Sequence, residues 1–205
     1  MQIRLDTNIN SKFIEKFDFE KAKAAILYIF EKFEEKDTTK EVDFLKVFKM
    51  LYFADQKHLV KYGRTVATDN YIAMKNGAMP SNLYELFKSL YHYSTLETQF
   101  IDSIKKTFLL VDYYHAEAIE KADLDELSNS DRECLSISFE ENQGLSFEEL
   151  IEKSKDNAWK NADNDNQMSL EEIAKTGGAN EEMILYIQSY LENQNIYFPT
   201  SKTTI

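Results

Sequence analysis

Phe44, Phe48, Leu51, Asp55 and Leu59 recur at steps of 4, 3, 4 and 4, which puts all five on one face of a helix. No other feature constrains the chain as strongly. An apolar stripe of that length must be buried, and it carries an acid in with it. Asp43 stands where this helix should begin. Tyr62-Gly63 should end it, because glycine enters the left-handed region at a helix C-terminus without a Cβ clash. The chain has only 5 Gly and 2 Pro in 205 residues, too few for a turn-rich all-β fold. With 43% hydrophobic and 13% aromatic residues it can fill a real core. The expected class is mainly α: a helical domain with a small β-hairpin or extended segment, followed by a C-terminal helical hairpin.

The remaining elements follow from spacing. Residues 1–17 are mixed and predict an arm or a short first turn. Phe19, Ala22, Ile26, Ile29, Phe30 and Phe33 predict a helix capped by Asp18 and running to about Glu35, and the polar run EEKDTTKEVD then reads as a linker. Thr65 to Ile72 has β-branched content and partial alternation, broken by Gly77 and Pro80, which predicts extended or hairpin-like structure. Asn82 and Glu85 have capping-box spacing and predict a helix through Tyr91. TFLLVDYY predicts a short strand, and HAEAIEKADLD either pairs with it in a small β-hairpin, the favoured reading, or forms a helix turn. Ser130 with Glu133, and Ser146 with Glu149, predict two further helix starts, the second helix carrying Leu150, Ile151 and Trp159. NADNDNQ at 161–167 is a linker by composition. Ser169 and Glu172 then cap a helix, Gly177-Gly178 turns, and a last helix holds Met183, Ile184, Ile187, Tyr190 and Leu191.

Charge and cysteine content narrow the function. A net charge of −12 opposes binding to DNA, RNA or an anionic membrane, since a phosphate surface rewards a concentrated positive face. It suits a protein partner that is basic or neutral. A single cysteine, Cys134, builds no internal disulfide framework and indicates a reducing compartment. MQIRLDTNIN lacks a signal pattern, and no apolar run approaches about 18 residues. The expectation is a cytoplasmic protein with no membrane segment.

No catalytic constellation emerges. Asp55 on its apolar stripe is either a general base or metal ligand, or an acid that ties its helix to the next segment through Arg64, a tyrosine hydroxyl or backbone N–H groups. The second alternative is favoured because no partner group lies at useful spacing. Asp55 and His58 share a helix face, yet His58, His92 and His115 complete no metal-ligand set. Acidic neighbours (Asp131, Glu133) would raise the Cys134 thiol pKa and leave it inert. Phosphate-loop glycine patterns are missing. The C-terminal pair has helix-turn-helix rhythm, but residues 161–205 hold seven acids against two lysines, the wrong sign for reading DNA. No metal and no cofactor are expected. Tyr62, Arg64, Asp69, Tyr71, Met74, Met79 and Tyr84 instead gather aromatic, Met and polar groups at a turn-rich segment, the composition of a protein-binding surface. Asp55, Gly63, Gly77, Pro80 and Trp159 are the expected structural anchors beneath it.

These residues also carry a resemblance. The run LYFADQKHLVKYGRTVATDNYIAMKNGAMPSNLYEL resembles the Panacea antitoxin domain of SocA-like antitoxins, a phage-associated protein family. The shared elements are Tyr52, Asp55, His58-Leu59, Tyr62-Gly63, Asp69, Tyr71, Ala73, Gly77, Pro80 and Tyr84. Downstream, LSNSD at 127–131 and SKDNAW at 154–159 look like the family's Leu-Ser-x-Ser-Asp and Ser-His-x-x-x-Trp. Two positions depart: Gly77-Ala78 stands for Gly-Pro, and Ser154-Lys155 for Ser-His.

The resemblance implies a helical domain over 1–160, with 161–205 as linker and C-terminal extension. It implies an antitoxin of a toxin–antitoxin system that binds and neutralises a cognate protein toxin, and not an enzyme. The competing expectations are a DNA-binding autoregulator that reads through the C-terminal hairpin, and a hydrolase built on Asp55 and His58. The sequence leaves oligomeric state open.

Overall fold

The computed structural model describes residues 17–36, 41–91, 98–163 and 166–197. The N-terminal arm expected over 1–17 falls outside them except for Phe17, as do His92 and parts of both polar linkers. In chain order the elements begin with α1 (Phe19–Lys36), β1 (Val42–Asp43) and α2 (Phe44–Tyr62). The hairpin β2 (Tyr71–Met74) and β3 (Gly77–Pro80) leads to α3 (Ser81–Lys88). Then come α4 (Thr98–Thr107), a second hairpin of β4 (Phe108–Leu110) and β5 (His115–Ala118), and α5 (Asn129–Asn142). The chain continues with α6 (Phe147–Ser154), α7 (Asn157–Lys160), β6 (Gln167–Met168), α8 (Leu170–Gly177) and α9 (Glu181–Tyr197). The class is mainly α with two small antiparallel sheets, ordered β1-β5-β4 and β3-β2-β6 among the described residues, and a C-terminal helical pair.

α2 is the hub, packed by α1, α5, α6 and α8 and by β3. Asp43 caps its start, accepting from the amides of Leu45 at 2.8 Å and Lys46 at 3.4 Å. Gly63 ends it at φ +71°. One apolar cluster gathers Ile26, Phe30, Phe48, Leu51, Phe87, Phe108, Leu135 and Phe139 on the side facing α1, α3 and α5. A second gathers Tyr52, Leu59, Tyr71, Leu150, Ile173 and Ile187 on the side facing α6, α8 and α9. Burying each such side chain contributes roughly 1.5–3 kcal/mol. The segment after the polar run joins that second cluster, and Met168 in β6 pairs with Tyr71 in β2.

Three local expectations are corrected. α3 is not opened by Asn82 and Glu85: its N-cap is Pro80, which makes no side-chain cap bond, and the helix stops at Lys88. The acceptor at its head is Asp69, 13 residues before Asn82. α5 is capped by Ser128 and Asp131 rather than Ser130 and Glu133. The helix begun at Ser146 does not run through Trp159: it ends at Ser154, and Asp156 caps the separate α7.

Candidate functional site

The loop joining α2 to the first hairpin is held from beneath by carboxylates. Asp55, fully buried, accepts from the amides of Val66 at 2.5 Å and Ala67 at 3.2 Å and from the hydroxyl of Tyr71 at 2.7 Å. Three donors on one carboxylate satisfy the rule that a buried acid must be bonded. Asp69 does the same one turn further on. It accepts from the amides of Asn70 at 2.7 Å, Asn82 at 3.0 Å and Leu83 at 2.9 Å, and from the Asn82 side chain at 2.8 Å. Between these anchors Thr68 sits at φ +52°, an uncommon conformation for a β-branched residue, maintained only where its surroundings over-determine it.

The hairpin is fixed from a second side. Its two-residue connection, Lys75-Asn76, is followed by Gly77 at φ +82°, while neither connecting residue has positive φ. Gly77 is also the point of closest approach: a Cβ there would meet the Ser154 hydroxyl. Buried Lys49 donates to the carbonyl of Ala78 at 2.5 Å, and Trp159 donates its indole N–H to the carbonyl of Met74 at 3.0 Å. Asp156 completes the brace, accepting from Tyr52 at 2.8 Å and Gln56 at 3.1 Å. The Tyr52 and Tyr71 rings meet edge-on at 5.1 Å. Burial raises the pKa of both phenols, reinforced by Asp156 at Tyr52 and Asp55 at Tyr71, so both remain donors. Burial, with repulsion from Lys155, pushes Lys49 down to about 7. Burial also raises the Asp69 carboxyl, against the opposing bonds from Leu83 and Asn82.

Above this brace lies a cleft of about 230 Å³ between the tips of the two hairpins. Phe44, Leu45 and Met79, all buried, form its floor. Met74, Tyr84, Tyr91, Tyr113 and Tyr114 line its walls. Lys75, Asn76 and Lys88 stand at the rim. Tyr91 and Tyr113 stack at 4.7 Å, and the Tyr91 hydroxyl donates to the carbonyl of Asp112. Met74, Met79 and Tyr84 were legible as surface candidates from sequence. Phe44, Tyr91, Tyr113 and Tyr114 were not, because they arrive from three distant segments.

The other candidates divide. Asp69 and Tyr71 are fully buried and Met79 is 2% exposed. These three support the surface from within; their polar or apolar groups are already engaged by the protein interior. Tyr62 and Arg64 lie away from the cleft, at the junction of α2 and α5. Tyr62 donates to Glu133 at 2.8 Å. Arg64 meets Asp131 at 3.0 Å. Asp131 Oδ1 also lies 3.1 Å from His58 Nε2, and Oδ2 lies 3.1 Å from Lys21. Neither Arg64 nor His58 is aligned as a hydrogen-bond donor to Oδ1; the Arg64 contact is an ion pair. Burial opposes ionisation of Asp131, yet His58, Ser128 and Lys21 outweigh it and hold the carboxyl below its ordinary range.

His58 Nδ1 faces the carbonyl of Arg64 at 2.8 Å, so a histidine and an aspartate that share a helix face serve different partners. Among the described residues no cluster of three or more His, Cys, Asp or Glu could hold a metal ion. Cys134 is buried, and burial with Glu133 pushes its thiol up to about 11.

The geometry defines a helical scaffold that presents a braced loop and an aromatic cleft. The family described as "Antitoxin SocA-like, Panacea domain" matches residues 47–160, and the chain belongs to it. That span runs from α2 through both hairpins to α7. Comparison with curated proteins and with solved structures gives no match. Among the described residues no helix is long and apolar enough to cross a membrane.

Proposed function

We propose that this protein is the antitoxin of a toxin–antitoxin pair and neutralises a cognate protein toxin by direct binding in the cytoplasm, without catalysing a reaction. The family supplies the antitoxin role. The observation that carries the mode of action is the brace. Asp55, Asp69, Lys49 and Trp159 fix the backbone of a loop, a hairpin and the head of α3, whose side chains Met74 and Tyr84 join Tyr91, Tyr113 and Tyr114 around a cleft. A rigid surface rich in tyrosine and methionine is the composition of an interface centre, and it loses little conformational freedom on binding.

Tyr62 and Arg64 form a separate polar patch with Glu133 and Asp131 and would contribute at an interface rim. The net charge of −12 favours encounter with a basic toxin through long-range attraction. The test is co-expression with the adjacent reading frame under an inducible promoter. The expected result is that the neighbour arrests growth alone, and that this protein restores growth and co-purifies with it. A neighbour that is harmless alone, or stays toxic in the presence of this protein, overturns the proposal.

A further inference from the structure

We propose that the cleft receives an extended segment of the partner that combines an apolar or aromatic side chain with flanking carboxylates. This rests on the binding function above and adds what the partner must bring. Among the described residues, the charged ones that line the cleft are Lys75 and Lys88, with no carboxylate beside them in the lining. The chain as a whole has 36 acids against 24 Lys and Arg, so this local sign runs against the bulk charge. Lys88 pairs with Glu85 at 3.0 Å and lies 5.9 Å over the Tyr84 ring. Lys75 is exposed at the tip of the β2–β3 hairpin and makes no ion pair among the described residues. An exposed lysine beside a methionine and tyrosine wall is a ready partner for a carboxylate that arrives next to an apolar anchor.

Size sets the shape of the occupant. One turn of helix with its side chains, about 10–12 Å across and about 5.4 Å long, fills roughly 500 Å³, more than the cleft's volume of about 230 Å³. One or two side chains of an extended segment fit. Phe44, Leu45 and Met79 supply the apolar floor such an anchor would cover. Tyr113 and Tyr114, 53% and 52% exposed, would flank it. Bulk acidity then selects a toxin that is basic elsewhere, and the lysine rim fixes the register by admitting only its acidic segment.

The experiment uses the full chain labelled at its methionine methyl groups and two synthetic peptides. One is Glu-Asp-Leu-Phe-Leu-Asp-Glu, and the other has lysine at every acidic position. The expected result is that the acidic peptide shifts the Met74 and Met79 methyl resonances. It should bind roughly tenfold or more tightly than the basic one, the weight of one well-placed charge pair. The Lys75→Glu/Lys88→Glu double variant should reverse that preference. Equal affinity for the two peptides, no shift with either at millimolar concentration, or shifts confined to other methionines overturns the proposal. So does benzoate binding as tightly as the acidic peptide, which would mark a small-molecule site. Co-expression separates this inference from the antitoxin role. If the wild-type chain protects cells and the double variant protects them equally, the cleft proposal falls and the antitoxin role stands. If the wild-type chain does not protect, the antitoxin role falls and the peptide arm decides the cleft independently.

Discussion

Tyr71 donates its hydroxyl to Asp55 across 2.7 Å, and both side chains are fully buried. This bond closes α2 onto β2 and, with the amides of Val66 and Ala67 on the same carboxylate, fixes the path of the loop between them. Removing the acceptor strands three buried donors. Asp55→Ala should therefore cost about 3–5 kcal/mol in urea denaturation. Tyr71→Phe removes one donor and leaves Asp55 with its amides, so it should cost about 1–2 kcal/mol. Exposed Asp102 is the control, and Asp102→Ala should stay within about 0.5 kcal/mol. Equal costs for Asp55→Ala and Asp102→Ala would remove Asp55 from the brace.

Asp69 acts on α3 from a distance. Its carboxylate accepts from the first free amides of that helix, Asn82 and Leu83, and replaces the side-chain cap that Pro80 lacks. Asp69→Ala should cost about 2 kcal/mol, at the upper end for a helix cap. Hydrogen exchange localises the effect: the amides of Asn82 and Leu83 should lose protection while those in the middle of α2 keep theirs. Uniform loss across both helices would show a global role instead.

Much of this fold could be read in the sequence wherever the cause was local. α2 follows from its apolar period, Asp43 and Gly63, each within a turn of what it acts on. The second hairpin follows from a short β-rich run, whereas the first lies later than expected: residues 65–70 are loop, and Gly77 and Pro80, read as breaks, belong to β3. The failures share a reason. Asp69 was missed as a cap because its partner amides are 13 and 14 residues away. Ser128-x-x-Asp131 and Ser130-x-x-Glu133 have the same spacing, so local rules could not choose between them. Asp131 is chosen because Lys21, His58 and Arg64 converge on it. Lys49 was missed because it lies off the apolar stripe, and its burial comes from β3 and α6, which pack on α2 from later in the chain. The cleft was half legible: Met74, Met79 and Tyr84 lie in one segment, but Tyr113 and Tyr114 reach it only when the second hairpin docks.

Lys49 makes stability depend on pH in a definite direction. Its folded pKa is about 7 against 10.5 in the unfolded chain. Between these values the unfolded chain holds the extra proton, so raising pH favours the fold. Below about pH 7 both states are protonated and the whole penalty of a buried cation remains. The difference in stability between wild type and Lys49→Met should therefore shift toward the wild type as pH rises from 7 to 9. The slope is at most about 1.4 kcal/mol per pH unit. Parallel stability–pH curves for the two proteins would show that Lys49 keeps its ordinary pKa.

Gly63 is where the C-terminal helices meet the end of α2. At φ +71° it is left-handed, and a Cβ there would strike the ring of Tyr186 and the sulfur of Met183 in α9. Gly178, at φ +98°, is left-handed as well but has open space where its Cβ would stand. The pair separates conformation from contact. Gly178→Ala should cost about 1 kcal/mol, the conformational part alone. Gly63→Ala should cost about 2–4 kcal/mol, because overpacking adds to it. Tyr186→Ala in the Gly63→Ala background should recover part of that excess, a coupling that a double-mutant cycle reads directly. Additive effects of the two substitutions would mean that α9 does not press on the end of α2.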